Sequence, residues 1–174
     1  ETAFLQLDEK NSAITDSINY AQRIQSAIMQ PAQDAGSQLV GKMFILYKPK
    51  DIVSGDFFWF MDVNGKTFVT AADCTGHGVP GAFMSIIGIT YLNEIVGNKN
   101  VHKPSDILNE LRANIIDALF IEGQDNKDGM DISFCAIYWE NNKLEWAGAN
   151  NPLIVIRDGE LIETAYRQIF LRAP

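Results

Sequence analysis

Residues 56–73 read DFFWFMDVNGKTFVTAAD, and the fold prediction starts from this stretch. Asn64-Gly65 is a strong hairpin signal, because both positions of a tight two-residue turn need positive φ angles. The aromatic run before the turn and the Val/Thr-rich run after it are typical of strands. We therefore expect two antiparallel strands. Asp56 and Asp73 lie at nearly equal distances from the turn, so both should sit near the same end of the sheet.

The elements around this hairpin indicate an α+β fold. A strand is predicted at residues 43–50 (MFILYKPK), and the next, over Asp51–Asp62, is expected to have a bulge or turn at Ser54–Asp56. Two helices should follow the hairpin, one from near Pro80 and one from Pro104. Further strands are predicted at residues 131–139, 143–149, 153–157 and 160–164. Strands joined by hairpins, together with two consecutive helices, predict antiparallel sheets with helices packed on them rather than a doubly wound parallel sheet.

The spacing of apolar residues predicts which faces of these two helices are buried. The first helix is expected to bury Phe83, Ile86, Ile87, Thr90, Tyr91 and Ile95. The second is expected to bury Ile107, Leu108, Leu111, Ile115 and Leu119.

The first thirty residues predict a helix with one narrow apolar stripe, which Pro31 ends. The stripe consists of Ile14, Ile18, Ala21, Ile24 and Ile28, and the polar face of Asp16, Asn19, Gln22, Arg23 and Gln25. Such a helix either packs on its own domain or forms a dimeric coiled-coil linker to a sensor module. We therefore divide the chain into a linker helix at 1–31 and one domain at 32–174.

Composition excludes some classes of protein. The net charge is −8, so binding to nucleic-acid phosphates is disfavoured. No apolar run reaches about 18 residues and no signal peptide is evident, so a cytoplasmic protein without a membrane segment is expected. Cys74 and Cys135 are far apart and lack metal-ligand spacing, which predicts reduced thiols.

A polar, glycine-rich turn follows the second strand of the hairpin, at residues 71–85 (AADCTGHGVPGAFMS). Asp73 ends that strand, and Asp56 should face the same space. Two such carboxylates repel each other unless a cation lies beside them. Mg²⁺ and Mn²⁺ prefer carboxylate and carbonyl oxygens, and the backbone carbonyl of Cys74 is a candidate third donor. From the residues alone, a metal site and a purely structural acidic turn both remain open.

Other chemistries for this turn have less support. Gly76, Gly78 and Gly81 match G-x-G-x-x-G literally, but the preceding strand is predicted to be antiparallel and no acidic residue follows at the spacing of a dinucleotide fold. The phosphate-binding G-x-x-x-x-G-K-[ST] motif is absent from the sequence. His77 is either a ligand, a general base or a polar turn residue. Nothing basic is fixed beside Cys74 to make it a nucleophile.

Two segments give the chain a family resemblance. The segment Pro49–Phe58 resembles the P-x-x-x-V-G-G-D-F-Y element of SpoIIE/RsbU-type phosphatases of the PPM (PP2C-like) family, with Ser54 in place of a glycine. The segment Asp73–Ala82 resembles their D-x-x-G-H-G element. The two motifs occur in the family's order, and the resemblance extends more loosely over residues 40–163.

The resemblance implies an α-β-β-α sandwich that hydrolyses phosphoserine or phosphothreonine with water activated by two metal ions, Mn²⁺ or Mg²⁺. It implies Asp73 as the bridging ligand, the carbonyl of Cys74 as a further ligand and Asp56 as an outer ligand. Gly76, His77 and Gly78 would shape the turn. The implied partners are a phosphorylated protein in bacterial signalling and a sensor module upstream of the first helix.

The family's S-D-G and D-D-x-T motifs, which supply further acidic ligands, do not occur in the sequence. We therefore expect an incomplete domain with weak or absent metal binding and little phosphatase activity in these 174 residues. The alternative is a non-catalytic, phosphatase-like signalling module that dimerises through its first helix.

Overall fold

The computed structural model describes residues 2–29, 38–97, 103–120 and 128–163. Its elements are α1 (Thr2–Met29), β1 (Phe57–Val63), β2 (Lys66–Cys74), α2 (Gly78–Gly97), α3 (Pro104–Ala118), β3 (Met130–Tyr138), β4 (Lys143–Ala149), β5 (Ile154–Arg157) and β6 (Glu160–Glu163). Helices packed on antiparallel strands confirm the predicted α+β class. Pro31 and the proposed domain boundary beside it lie outside the described residues, as does most of the predicted connector at 32–41.

The main sheet has the order β1-β2-β3-β4, and all its neighbouring strands are antiparallel. The predicted hairpin is confirmed: β1 pairs with β2 from Phe57 opposite Ala72 down to the turn. Asn64 has φ 52° and Gly65 has φ 73°, the left-handed values that this turn requires. β5 and β6 form a separate two-stranded sheet around the Asp158-Gly159 turn.

One face of the main sheet packs against α2 and α3. A Cβ atom on Gly88 of α2 would lie 2.9 Å from Met130 Cε and 3.1 Å from Phe57 Cζ, so glycine allows this helix to approach the sheet closely. Trp59 Nε1 donates a hydrogen bond of 2.8 Å to Asn93 Oδ1 and ties β1 to α2. The largest fully buried side chains include Phe68, Phe134, Ile89, Leu92, Ile107, Leu108, Leu111 and Ile115. Burial of each stabilises the fold by roughly 1.5–3 kcal/mol.

The buried face of α3 agrees with the prediction over Ile107, Leu108, Leu111 and Ile115. That of α2 agrees only in part: Ile95 is buried, and Ile87 and Tyr91 are partly buried against the core. Phe83 is 63% exposed and Thr90 is exposed. Residues buried instead include Met84, Ser85, Gly88, Ile89 and Leu92. α2 is apolar almost all round, so its spacing could not select a face. Among the described helices it alone is long and apolar enough to cross a membrane, and half of that stretch is buried inside the domain.

The strand predicted at residues 43–50 is wrong. The segment is not in a strand and joins neither described sheet, and Phe44 is 89% exposed. Pro49 has no N–H to donate to a sheet ladder. The segment instead crosses the face of the main sheet opposite α2 and α3, where the Tyr47 ring packs edge-on against Phe58 at 5.6 Å. A largely apolar groove of about 670 Å³ lies between this segment and the main sheet.

Only the C-terminal half of α1 docks on the domain. Ile18, Ala21 and Ile28 are partly buried, but Ile14 and Ile24 of the predicted stripe are exposed. The assignment of Gln25 to the polar face is wrong, because this side chain is only 3% exposed. The 28-residue helix is roughly 42 Å long, so it is much longer than the part that docks. The described residues of the domain leave its N-terminal half, residues 3–17, exposed.

Candidate functional site

Asp56 and Asp73 lie side by side at one end of the β1–β2 hairpin. Asp56 directly precedes Phe57 and Asp73 directly follows Ala72, and these two intervening residues are paired across the strands. The two carboxyl groups interact, because the charge of Asp56 raises the pKa of Asp73. The hairpin therefore brings the two predicted acidic residues together, as their equal distances from the turn implied.

The electrostatics of Asp73 reflect this crowding. Partial burial raises the pKa of its carboxyl group, the charge of Asp56 and the hydrogen bond with Asp56 raise it further, and the charge of Asp131 adds to the rise. Each cause disfavours the ionised form. A positive charge at this position would relieve the repulsion.

Asp131 is a third acidic residue at this edge, and the sequence analysis did not assign it to the site. It is the second residue of β3 and is paired with Asp73 across β2–β3, so it extends the row of carboxylates to a third strand. Asn150, which has φ 59°, donates a hydrogen bond of 2.8 Å from Nδ2 to Asp131 Oδ1. The alternation of polar and apolar side chains over residues 131–135 indicates which residues share a face of the strand. It does not indicate that β3 pairs with β2, so the sequence could not place Asp131 beside Asp73.

Glycines allow the two acidic segments to meet backbone to backbone. A Cβ atom on Gly55 would lie 2.9 Å from the Gly76 carbonyl oxygen and 3.1 Å from that of Cys74. A Cβ atom on Gly81 would lie 2.6 Å from the same Gly76 oxygen and 3.0 Å from Gly55 Cα. Real Cβ atoms do not approach so closely, so any side chain here would push the two segments apart.

The turn after β2 has a backbone that suits glycine. Gly76 has φ 89° and Gly78 has φ 62°, both in the left-handed region. His77, between them, is highly exposed, and its Nδ1 lies 3.0 Å from Asp51 Oδ2. This pair lies at the surface, beside the start of α2.

The thiol of Cys74 is not suited to nucleophilic chemistry. It is buried, and burial together with the charges of Asp73 and Asp56 raises its pKa to about 12. The thiolate is therefore scarce at neutral pH. The backbone carbonyl oxygen, and not the thiol, is therefore the candidate ligand that Cys74 offers.

The donors at this edge suit a hard divalent cation. Carboxylate and carbonyl oxygens are the ligands that Mg²⁺ and Mn²⁺ prefer, and Mg²⁺ commonly keeps several waters beside one or two carboxylates. Within the part of the chain that the structure describes, no three His, Cys, Asp or Glu side chains are grouped so as to hold a metal ion by themselves. The residues therefore fit a cation held by two carboxylates, a carbonyl and water, and do not form a closed cage.

Comparison with known proteins agrees with the fold and the motifs. A family model described as stage II sporulation protein E (SpoIIE) matches residues 64–169. The SiaA-PP2C domain of Pseudomonas aeruginosa is 27% identical with a TM-score of 0.75 over 91% of this chain. The aligned part is 63% of the SiaA-PP2C chain, so the present chain spans less than two thirds of that relative. No match was found among curated protein sequences.

Two more distant structures share the fold. The RsbU and RsbW domains of a Mycobacterium tuberculosis protein align with a TM-score of 0.53 and 16% identity, over 68% of this chain and 32% of theirs. RsbX, solved in complex with magnesium, aligns with a TM-score of 0.50 and 17% identity, over 74% of this chain and 59% of its own. The family match covers more than half of the chain, and the chain therefore belongs to the SpoIIE family of PP2C-like phosphatase domains.

Proposed function

We propose that this chain is part of a metal-dependent phosphatase domain that hydrolyses phosphoserine or phosphothreonine in a bacterial signalling protein. The observation that carries the proposal is the alignment of Asp56 and Asp73 on paired strands, at an edge where glycines bring two backbone segments together. Membership of the SpoIIE family supports the class of reaction. The magnesium complex of RsbX, which has a similar fold, supports the choice of a hard cation.

In this proposal Asp73 would be the principal ligand of Mn²⁺ or Mg²⁺, the Cys74 carbonyl oxygen would be a further ligand, and Asp56 would be an outer ligand. When bound, the ions supply an acidified water molecule and offset the charge of the phosphate. Asp56 and Asp73 provide the negative charge that attracts the cations. Gly76 and Gly78 supply the left-handed backbone of the turn that follows Asp73.

Activity should depend on acidic ligands beyond these two. The S-D-G and D-D-x-T motifs do not occur in the 174 residues, so we expect this chain alone to bind cations weakly and to turn over little substrate. A form extended at the C-terminus along its own gene should hydrolyse p-nitrophenyl phosphate and a phosphoserine peptide when Mn²⁺ is added.

The variant Asp73→Asn in the extended form tests the site itself. It should abolish the Mn²⁺-dependent activity, because the principal carboxylate ligand is removed while the volume of the side chain is kept. Asp117→Asn is the matched control, since Asp117 is an exposed carboxylate on α3. If the extended form is inactive, or if Asp73→Asn keeps full Mn²⁺-dependent activity, the proposal is wrong.

A second candidate function is a non-catalytic signalling module that dimerises through α1 and receives the state of an upstream sensor. The observation in its favour is the free half of α1, where Phe4, Leu7 and Ile14 are all exposed. Their spacings of three and seven residues are those of a coiled-coil seam. Apolar residues in such a seam are normally covered by a partner helix.

Light scattering separates the two possibilities for α1. A dimer should become a monomer when Leu7→Asp is introduced. Gln6→Asp is the control, because Gln6 is exposed and lies on the side of the helix away from Phe4, Leu7 and Ile14. If the unaltered chain is a monomer at every concentration, the dimer is excluded while the phosphatase proposal stands.

A further inference from the structure

The peptide that joins Cys74 to Thr75 is held by the segment that precedes β3. The Thr75 N–H donates a hydrogen bond of 2.8 Å to the Gly129 carbonyl oxygen, and Thr75 Oγ1 accepts one of 3.2 Å from the Gly129 N–H. The two bonds continue the β2–β3 pairing one residue beyond its last pair, Cys74 opposite Met130. In this added pair the hydroxyl group of Thr75 takes the place of the carbonyl acceptor that a regular antiparallel ladder would use.

These bonds determine where the Cys74 carbonyl oxygen points. The peptide is trans and planar, so its N–H and C=O groups point in opposite directions. Because the Thr75 N–H faces Gly129 on the β3 side, the carbonyl oxygen of Cys74 faces the β1 side. The close approach of Gly55 agrees, since a Cβ atom on Gly55 would lie 3.1 Å from this oxygen. Gly55 directly precedes Asp56, so bonds on the β3 side direct the carbonyl toward the other acidic segment.

The chain on either side of this peptide restrains it unequally. The Cys74 side chain is only 3% exposed, so packing in the core holds the residue on the strand side. The residue after Thr75 is Gly76, which has φ 89°, and glycine restricts the backbone less than any other residue. The two bonds with Gly129 therefore supply the restraint on the side of the turn.

We propose that Thr75 is a positioning residue, whose two hydrogen bonds with Gly129 direct the Cys74 carbonyl oxygen toward the cation beside Asp73. This inference rests on the proposed function, since it assigns a cation to this edge of the sheet. Thr75 acts through the peptide and does not touch the ion, as groups that orient metal ligands do. The segment before β3 thereby contributes to the geometry of the site through Gly129, which supplies no ligand itself.

The test measures Mn²⁺ affinity by calorimetry in the form extended along its gene, so it does not depend on turnover. Thr75→Val keeps the branched shape but leaves the N–H of the buried Gly129 without its acceptor. Mn²⁺ binding should weaken about ten-fold, near the lower limit for loss of a group that orients a metal ligand. Thr75→Ser keeps the hydroxyl group and should bind as the unaltered protein does.

Thr90→Val is the matched control for this substitution. It removes an exposed threonine hydroxyl group that donates a hydrogen bond of 2.8 Å to the Ile86 carbonyl oxygen within α2, and it should leave Mn²⁺ affinity unchanged. Equal affinities for Thr75→Val and Thr90→Val would overturn the proposal. Thr75→Ala also lacks the hydroxyl group, and because it is smaller it decides the matter if Thr75→Val does not fold.

A second measurement, made without metal, reports the orientation of the peptide directly. Residual dipolar couplings give the direction of the Thr75 N–H bond relative to the sheet, and because the peptide is planar they also give the direction of the Cys74 carbonyl. Thr75→Val should change this coupling while the couplings of β2 and β3 stay the same, and Thr75→Ser should leave it as it is. An unchanged N–H direction in Thr75→Val would overturn the proposal, even if Mn²⁺ binding weakens.

The two measurements together separate this inference from the proposed function. If the unaltered extended form binds no Mn²⁺, the proposed function fails, and a changed N–H direction in Thr75→Val would then still support the role of Thr75 in orienting the peptide. If the unaltered form binds Mn²⁺ and Thr75→Val changes neither the affinity nor the N–H direction, the proposed function stands and this inference is wrong.

Discussion

Replacing Asp73 by asparagine should stabilise the metal-free protein while removing its response to metal. The pKa of the Asp73 carboxyl group is raised in the folded state by burial and by the charges of Asp56 and Asp131. The folded chain therefore holds this proton more tightly than the unfolded chain, and the ionised form weakens the fold at neutral pH. Asparagine has nearly the same shape, carries no charge and can donate a hydrogen bond to Asp56.

The size of the effect follows from the strand pairing. Facing Cα atoms of adjacent antiparallel strands are about 4.5–5.5 Å apart. Two unit charges about 5 Å apart in water repel by roughly 0.8 kcal/mol, and Asp73 has such a neighbour on each side. Asp73 is exposed, so screening by solvent and salt reduces the sum to about 1 kcal/mol. For a chain of this size that corresponds to a rise in Tm of roughly 2–4 °C.

Thermal unfolding followed by circular dichroism in EDTA would measure this rise, with Asp117→Asn as the control. The difference in Tm between Asp73→Asn and the unaltered chain should vanish below the ordinary Asp pKa of 3.8, where the carboxyl group is protonated in both states. It should grow as the pH rises through the higher pKa of the folded state. If Asp73→Asn melts at or below the Tm of the unaltered chain at neutral pH, the argument from repulsion is refuted.

Three further changes test the packing around the site. Gly81→Ala should lower the free energy of unfolding in urea by about 1–3 kcal/mol, because its Cβ would lie 2.6 Å from the Gly76 carbonyl oxygen; Gly97→Ala, with no atom within 4 Å, should cost nothing, and equal costs would contradict the contact. The Cys74 thiol, with its pKa of about 12, should resist iodoacetamide in the folded chain and react in urea, as mass spectrometry would show; rapid labelling of the folded chain would contradict its burial. Leu108→Ala, at a fully buried position, should cost about 2–5 kcal/mol in the same urea titration, and a cost below 1 kcal/mol would place Leu108 outside the core.

The turns of this protein were predictable because their chemistry is local. Asn64-Gly65 and Asp158-Gly159 adopt positive φ angles that few other residue pairs accept, so they form hairpins whatever surrounds them. Once the first turn is fixed, counting along both strands brings Asp56 and Asp73 to the same end. This part of the candidate site needed no information about distant residues.

Pairing over a long stretch of chain was not predictable. β2 and β3 are neighbours in the sheet, although two helices separate them in sequence, and this pairing places Asp131 beside Asp73. The contact between Gln25 and Ser54 was hidden for the same reason. A glutamine on a polar helix is usually solvated, and only the docked helix shows that this one replaces water with three protein partners.

Other errors came from patterns that do not distinguish their alternatives. Residues 43–50 have the composition of a strand but contain Pro49 and lack a described partner strand. α2 is apolar on most sides, so its spacing fitted more than one buried face, and Phe83 was assigned to the wrong one. In both cases tertiary contacts decided the outcome.

The hairpin turn at Asn64-Gly65 sets the relative positions of Asp56 and Asp73, although it lies at the opposite end of the two strands. Side chains of a strand alternate between its two faces, so lengthening this turn by one residue and shifting the pairing would rotate Asp56 toward α2, away from Asp73. The same insertion at Asp158-Gly159 would disturb only the small second sheet. Two turns with the same backbone geometry thus differ in how much length variation they can tolerate, and relatives that keep the acidic pair should vary in length at the second turn but not at the first.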